Sequence, residues 1–316
     1  MEKQQTNKEI IPIFFATDDN YVALLSVALK SLIQNADKKY FYNIHILNSG
    51  LNYESVKTLK KFNDKNLVDI KFDNINEMLE GKVDNLHTRD YYSKATYYRF
   101  YIANLFPQYD KALYLDCDIL ILNNIADLYN VDLGNNLVGA INDETVTRDN
   151  ILSEYVESLG IDRNKYFNAG ILTINLKQFR EENIEGKFHN LLDKYTFSAG
   201  QDQDYLNVLC KDRVVYIDMG WNKVPVRTEG FDENSLKLIH FKMIYRPWQV
   251  DGVMYGDKFW QYARRTPFFK QIVEMKKSFT EEQYKKGLAG MQNLVNICIR
   301  DTKEFTEKEL AKKLYA

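Results

Sequence analysis

Two aspartates separated by one residue are the first candidates for chemistry. Asp116 and Asp118 follow an apolar run in the segment KALYLDCDILIL, residues 111–122, which is typical of a buried strand. Side chains alternate along an extended chain, so both carboxylates should point the same way while Cys117 points into the core. Two crowded carboxylates repel each other unless a cation or a proton lies between them, and hard oxygen ligands suit Mg²⁺ or Mn²⁺. The pair predicts a divalent-metal site, although aspartate at a strand end is also ordinary turn chemistry.

A histidine and an arginine further along the chain could complete this site. His240 ends another predicted strand, and an imidazole nitrogen suits Mn²⁺ better than Mg²⁺ as a third ligand. A lone histidine is usually structural. Here Arg246 and Trp248 follow closely, so a cation and an indole would stand beside the imidazole.

Two other segments are polar where a core should be apolar. In FNAGILTIN the small residues Ala169 and Gly170 are expected to precede a strand and to let the backbone approach a ligand, while the Asn168 amide could hold hydroxyl groups. In GQDQDYLN the acids Asp202 and Asp204 flank Gln203 at a predicted helix start, positions 202–204. They are either helix-capping residues or acceptors that bind a sugar and face a developing positive charge.

The glycine motifs that usually bind phosphates are absent. Neither the P-loop pattern nor Gly-x-Gly-x-x-Gly occurs, so a bound metal would have to neutralise a nucleotide diphosphate. Gly-x-Ser-x-Gly and His-Glu-x-x-His are also missing, which removes the common hydrolase and zinc-protease templates.

These residues need a scaffold that brings distant segments together. Short β-branched and aromatic runs alternate with segments of helical period, which predicts an α/β fold with a mostly parallel twisted sheet and helices on both faces. Ligands bind beyond the carboxyl ends of the strands in such sheets. Asp18, Asp19 and Asn20 could cap the first helix, whose apolar stripe includes residues 24, 28 and 32. The predicted strands are residues 10–16, 43–47, 68–72, 112–115, 137–141, 170–175, 214–217 and 236–240, and helices are predicted near 53–62, 93–105 and 202–209.

The chain reads as one domain followed by a helical extension. No linker, repeat or low-complexity tract interrupts residues 1–275, and residues 276–316 mix charged and apolar residues at helical spacing. The extension is either a pair of helices packed on the domain or a weak attachment to an anionic membrane surface through its lysines. Five glutamates dilute that charge, and the lysines concerned are Lys285, Lys286, Lys308, Lys312 and Lys313.

Composition excludes several classes of protein. The 316 residues include 42 basic and 44 acidic side chains, which leave no field strong enough to gather nucleic acid. The three cysteines form no C-x-x-C pair, so a reducing cytoplasm fits better than a disulfide framework. We expect neither an export signal nor a membrane span, because no apolar run is long enough.

Seven ordered segments together resemble glycosyltransferase family 8, which includes bacterial lipopolysaccharide galactosyl- and glucosyltransferases and the glycogenins. The resemblance covers residues 10 to about 250. It implies a GT-A type nucleotide-sugar-binding fold for residues 1–275. The implied activity is metal-dependent, retaining transfer of a galactose or glucose from a UDP-sugar to a saccharide acceptor, in lipopolysaccharide or other cell-surface glycan synthesis. The segments are FATDDNY, TYYRFYI, KALYLDCDIL, GAINDE, FNAGILTINL, GQDQDYLN and HFKMIYRPW.

The same resemblance implies roles for individual residues. Mn²⁺, or Mg²⁺, would be held by Asp116, Asp118 and His240. Catalytic candidates on the reacting face are Gln203, Asp202 and Asp204, and Asp143 would lie on the acceptor side. The UDP-hexose site would comprise Ala16, Thr17, Asp18, Asn20, Arg99, Asp116, Cys117, Asp118, Asn168, Ala169, Gly170, Asp202, Gln203, His240 and Arg246.

The chain departs from the family pattern His-x-x-Gly-x-x-Lys-Pro-Trp at two positions. Arg246 replaces the lysine and keeps the positive charge, with a fork that suits a diphosphate. Met243 replaces the glycine, which is expected to hinder a close backbone approach to phosphate.

Two other functions compete with this interpretation. A phosphotransferase of the haloacid dehalogenase type also places two aspartates after an apolar strand, but Leu120 stands where that pattern has Thr or Val. A non-catalytic carbohydrate-binding module could use the 22 Tyr, 18 Phe and 3 Trp for stacking on sugars, but it would have no use for the aspartate pair.

Overall fold

The structure, a computed structural model, describes residues 8–79 and 94–315. Strands β1 to β9 are Ile10–Ala16, Phe41–Asn48, Val68–Asn74, Lys111–Leu115, Ile119–Ile121, Val138–Asn142, Phe167–Asn175, Val214–Tyr216 and Leu238–His240. Helices α1 to α14 are Val22–Asn35, Tyr53–Leu59, Ile75–Leu79, Ile102–Leu105, Ala126–Tyr129, Glu144–Arg148, Asn150–Ser158, Leu176–Glu181, Ile184–Lys194, Asp202–Leu209, Gly256–Ala263, Phe269–Ser278, Glu281–Glu307 and Leu310–Leu314. Short 3₁₀ helices cover Lys60–Phe62, Lys94–Phe100, Arg163–Lys165, Met219–Trp221 and Glu233–Ser235.

The main sheet has seven strands in the order β3-β2-β1-β4-β7-β6-β8. The pairs β1/β2, β2/β3, β1/β4 and β6/β8 are parallel, whereas β7 runs antiparallel to both β4 and β6. The predicted α/β class with a mostly parallel sheet is therefore confirmed. The carboxyl ends of β1 and β4 lie side by side at one edge, which is where the candidate residues after those strands belong.

Alternation along the strands builds a core on each face of the sheet. In β1, Ile13 and Phe15 belong to one apolar cluster and Phe14 to the other, and all three side chains are fully buried. A third cluster joins α1 to α11 and α12 through residues such as Val27 and Phe259. Helices therefore cover both faces, as the sequence pattern predicts.

Two predicted strands differ from the observed ones in a way that matters for the site. Residues 236–240 form only β9, which pairs antiparallel with β5 in a separate two-stranded sheet rather than joining the main one. Strand β7 begins at Phe167, so Asn168, Ala169 and Gly170 lie inside the strand and not before it. Three apolar residues carry too little pattern to tell which sheet a strand will join.

Several helix boundaries also differ from the predictions. Helix α1 begins at Val22 after Tyr21 with no side-chain cap, so Asp18, Asp19 and Asn20 do not cap it. The predicted helix 93–105 is a 3₁₀ segment followed by α4, and Ser93 lies outside the described residues.

The C-terminal extension is helical, as predicted. Thr280 caps α13 with the reciprocal hydrogen bonds of a capping box to Gln283. Cys298, Phe305 and Leu310 bury their side chains in the same apolar cluster as the main sheet. Within the ranges that the structure describes, no helix combines the length and the apolar character needed to cross a membrane.

Candidate active site

The two aspartates and the histidine meet at the junction of the two sheets. Residues 116–118 link β4 to β5, and the pairing of Ile119 with His240 brings the histidine beside them. His240 Nε2 lies 3.2 Å from Asp118 Oδ1 and 3.7 Å from Asp116 Oδ2. One ligand atom from each of the three residues lies within 4.8 Å of the others. The predicted convergence of Asp116, Asp118 and His240 is thus present in the structure.

Gly170 makes this close approach possible. A Cβ at that position would lie 2.4 Å from Asp116 Oδ2 and 2.6 Å from His240 Cε1. Any side chain there would push the ligand atoms apart. The glycine is required by packing against the aspartate and the histidine.

The histidine ring is held in one orientation by a chain of amides. His240 Nδ1 lies 2.9 Å from Asn222 Oδ1, and Asn222 Nδ2 donates to Asn168 Oδ1 at 2.9 Å. Because an amide oxygen can only accept, Nδ1 donates the hydrogen of this bond, and Nε2 is the ring nitrogen that faces the aspartates. Two carboxylate oxygens and one imidazole nitrogen form a donor set that fits Mn²⁺.

Ionised carboxylates suit this role. Burial alone would raise the pKa of Asp118, but the His240 imidazole and the Arg246 guanidinium outweigh it and hold that pKa below its usual range. The carboxylate is therefore ready to coordinate a cation at neutral pH.

Arg99 is a buried cation between the Asp116–His240 contact and α10. Its Nη2 lies 3.3 Å from Asp116 Oδ1 and 3.1 Å from the Tyr114 hydroxyl, and its Nε lies 3.3 Å from Asp202 Oδ2. Its Nη1 donates to the Ala169 carbonyl. Arg99 orients one predicted metal ligand and one predicted catalytic acid at once.

Asp202 is buried next to that arginine. Burial raises the pKa of its carboxyl group to about 6, because desolvation outweighs the attraction of Arg99. The group therefore titrates close to neutral pH.

Gln203 has its amide fixed by three contacts. Its Oε1 accepts from Asn168 Nδ2 at 3.0 Å and from the Ala169 backbone N–H at 3.1 Å, and its Nε2 donates to Asp143 Oδ2 at 3.2 Å. Asn207, one turn along α10, hydrogen-bonds both the N–H and the carbonyl of Phe167 and so ties the helix to β7. The amide is positioned before any substrate binds.

Asp143 forms an ion pair that sequence analysis did not predict. Lys242 Nζ lies 2.8 and 2.9 Å from its two carboxylate oxygens. Burial opposes ionisation, but Lys242 and the backbone N–H of Thr145 hold the pKa of Asp143 well below its usual range. Lys242 stands two residues after His240, but a single lysine there carries no distinguishing pattern.

Asp116, Asp118, His240, Arg99, Asp202, Gln203, Asp143 and Lys242 all line one cavity of about 620 Å³. We call it the central cavity. It is bounded by the ends of β1 and β4, by β7, by the start of α10 and by residues 240–246. Of the sequence-predicted site residues it contains Ala16, Thr17, Asp18, Arg99, Asp116, Cys117, Asp118, Asp143, Asn168, Ala169, Gly170, Asp202, Gln203, His240 and Arg246.

The sequence model described as "Glycosyl transferase family 8" matches residues 12–252. The chain belongs to glycosyltransferase family 8. Membership disfavours the phosphotransferase and binding-module alternatives, because neither accounts for a family match over residues 12–252.

Related proteins agree with this assignment. A putative glycosyltransferase of Haemophilus influenzae is 31% identical over 250 residues, which are 78% of this chain and 72% of the relative. The apo bifunctional glycosyltransferase WbbM superposes with a TM-score of 0.75 at 27% identity over 87% of this chain, which spans only 53% of WbbM. The galactosyltransferase LgtC, solved with donor and acceptor sugar analogs, gives a TM-score of 0.65 at 26% identity. The superposition includes 87% of this chain and the whole of LgtC.

Two predicted site residues of this family 8 chain do not line the central cavity. Asn20 lies at the surface, where its backbone N–H donates to Asp18 Oδ1 at 2.9 Å. Asp204 is fully buried and accepts hydrogen bonds from the hydroxyls of Tyr155 at 2.8 Å and Tyr166 at 2.6 Å. The side chain of Asp204 therefore braces α10 instead of facing the cavity.

The residue that replaces the family glycine adopts a glycine-like backbone. Met243 has a φ of 62°, in the left-handed region, and its side chain lines the central cavity. Glycine adopts this backbone conformation without strain, whereas for methionine the conformation costs about 1–2 kcal/mol of folding free energy. Cys117, which also lines the cavity, donates its thiol to the Ala16 carbonyl at 3.2 Å.

Proposed function

We propose that this family 8 glycosyltransferase is a metal-dependent, retaining hexosyltransferase. It takes galactose or glucose from a UDP-sugar and transfers it to a saccharide acceptor in lipopolysaccharide or other cell-surface glycan synthesis. The observation that carries the proposal is the convergence of Asp116, Asp118 and His240 within 4.8 Å, in the cavity that also holds Gln203 and Asp143.

The donor end would be organised around the anionic leaving group. Asp116, Asp118 and His240 would hold Mn²⁺ or Mg²⁺, and a bound cation would neutralise the diphosphate as UDP departs. Arg246 adds a second positive charge at this end of the cavity. Ala16, Thr17 and Asp18, at the end of β1, would contact the uracil.

The sugar end would be organised around the carbon that loses UDP. Arg99, Asn168, Ala169, Gly170 and Asp202 would hold the hexose. Gln203 is our candidate for the oxygen that stabilises the positive charge developing on the sugar, since its amide is held in place by Asn168, Ala169 and Asp143. Asp143, kept ionised by Lys242, would accept a hydrogen bond from the acceptor hydroxyl.

Calorimetry of UDP binding with and without Mn²⁺ tests the metal site. We expect metal-dependent binding by the native protein and its loss in Asp118→Asn. The exposed Asp132→Asn makes the same chemical change outside the cavity and should behave as the native protein. The melting temperature of Asp118→Asn without metal shows whether the variant is folded, since the change also removes the attraction of Arg246 for this carboxylate.

Two results would contradict the proposal. One is UDP binding by the native protein that is unaffected by Mn²⁺. The other is Mn²⁺-dependent binding that survives in Asp118→Asn. Where binding is metal-dependent, a panel of UDP-sugars tested for Mn²⁺-dependent thermal stabilisation would identify the donor, and NMR of the product anomer would test retention.

We further propose a cytoplasmic location, with at most weak attachment to the inner membrane surface through residues 276–316. Lys285 pairs with Glu281 at 2.8 Å and Lys308 with Glu304 at 2.6 Å, and Lys312 contacts Glu309. These pairs offset the charge that would attract anionic lipid. Co-sedimentation with anionic and neutral vesicles measures the attachment.

A further inference from the structure

Helix α13 forms one wall of the central cavity, although it lies beyond residue 252, where the match to the family ends. The residues that line the cavity recur at intervals of three and four, which places them on one face of the helix. They include Tyr284, Gly287, Met291, Leu294 and Cys298.

The helix is fixed in this position at both ends of the cavity. Toward its C-terminus, Cys298 is fully buried and the Phe305 ring lies 6.1 Å from the Tyr155 ring of α7. Toward its N-terminus, a Cβ on Gly287 would lie 3.7 Å from Ile244 Cγ2, in the segment between His240 and Arg246. The wall therefore packs directly against the segment that carries the donor-site residues.

The lining of the central cavity is polar in part and apolar in part. Its polar residues include Asp116, Asp118, His240 and Arg246. Its apolar residues include Val146 and Val156 of α6 and α7, which are buried, and Met291 and Leu294 of α13, which are half-buried. We call the part lined by these apolar side chains the apolar end.

A saccharide alone would leave the apolar end without a suitable partner. Sugar hydroxyls need hydrogen-bonding groups, whereas aliphatic side chains gain free energy only by removing apolar surface from water. The apolar end belongs to the same cavity as Asp143, where the acceptor hydroxyl would bind. An acceptor that fills the cavity should therefore carry an apolar group next to its accepting sugar.

We propose that the acceptor is a glycoside with an apolar aglycone, which α13 and α7 bind between them. This inference rests on the proposed transferase function, because it places the accepting sugar at Asp143. It assigns to α13 the selection of the acceptor, with Met291 and Tyr284 as the residues that contact the apolar group.

The test compares two probes that differ only in the aglycone. Methyl and octyl β-galactosides, and the corresponding glucosides, are titrated by calorimetry into protein saturated with UDP and Mn²⁺, below the concentration at which the octyl compounds form micelles. We expect at least one octyl glycoside to bind about tenfold more tightly than its methyl counterpart, a difference of about 1.4 kcal/mol. Met291→Asp should abolish this preference, and Met291→Ala or Tyr284→Ala should reduce it.

The control is Ala289→Asp, which adds the same charge two residues away on the exposed opposite face of α13 and should keep the preference. UDP binding with Mn²⁺ is measured on every variant, so loss of the donor site is separated from loss of acceptor selection. Met291→Ala decides the outcome if Met291→Asp fails to fold. Equal affinity of the native protein for methyl and octyl glycosides would overturn the inference, as would an equal loss in Ala289→Asp.

Discussion

The Nδ1 atom of His240 lies 2.9 Å from Oδ1 of Asn222, and this contact decides which nitrogen of the ring faces the two aspartates. Asn222 is 6% exposed, and its own amide nitrogen is held by Asn168. The hydrogen bond to Asn168 therefore holds the Asn222 side chain in this orientation. Asn222 does not line the central cavity, but it sets the tautomer of His240, which does.

Replacing Asn222 by alanine should weaken metal binding without removing a ligand. We expect Asn222→Ala to raise the Kd for UDP in the presence of Mn²⁺ by about 10–100-fold, the range typical of lost hydrogen-bond partners behind metal ligands. Calorimetry measures this, with the exposed Asn234→Ala as the matched control. Affinity equal to that of the native protein would show that His240 needs no such partner.

Gln203 should affect turnover far more than donor affinity. Its amide is held by Asn168, Ala169 and Asp143, so Gln203→Ala removes an oriented oxygen while leaving the metal ligands in place. We expect kcat to fall by about 10²–10³-fold, as when one oriented polar group that stabilises transition-state charge is lost. The Kd for UDP should change by less than about threefold, a difference of under 1 kcal/mol. Equal losses in kcat and affinity would remove its proposed role in the transition state.

The sequence predicts those site residues that directly follow strands with a clear alternation of apolar side chains. The run before Asp116 alternates across two buried faces, and β1 delivers Ala16, Thr17 and Asp18 in the same way. In both cases the apolar pattern fixes where the strand ends. The polar residues that follow must then lie at the carboxyl edge of the sheet.

The remaining parts depend on relationships that a linear pattern does not carry. Asp202 and Asp204 look alike at a helix start, but residues two apart on a helix point to nearly opposite sides. The period of the helix separates the two acids, but it does not say which one faces the central cavity, and in the structure only Asp202 does. Asn222 and Lys242 follow no periodic run, so their roles emerge only once β9 has paired with β5.

Met243 offers a test of why the family prefers glycine at this position. Met243→Gly should raise the free energy of unfolding by about 0.5–1 kcal/mol, because relief of about 1–2 kcal/mol of left-handed strain is only partly offset by about 0.5–1 kcal/mol of added chain entropy. The same change should tighten UDP binding several-fold if the methionine hinders approach to the phosphates. Met243→Ala removes bulk but keeps the strained φ, so comparing the two variants separates the causes. The hindrance would be refuted if neither variant bound UDP more tightly than the native protein.

Asp202 should make stability depend on pH in a direction opposite to that of most carboxylates. Burial raises its pKa to about 6, above the ordinary value of 3.8, so the folded state takes up a proton that the unfolded state lacks between these values. Folding is then favoured as pH falls from 6 to 4, and this contribution is lost as pH rises through 6. Relative to Asp202→Asn, the native protein without metal should gain about 2–3 kcal/mol of unfolding free energy from pH 7 to pH 4. Urea titrations of both proteins at several pH values measure the difference, and a constant difference across this range would mean that Arg99 keeps Asp202 ionised throughout.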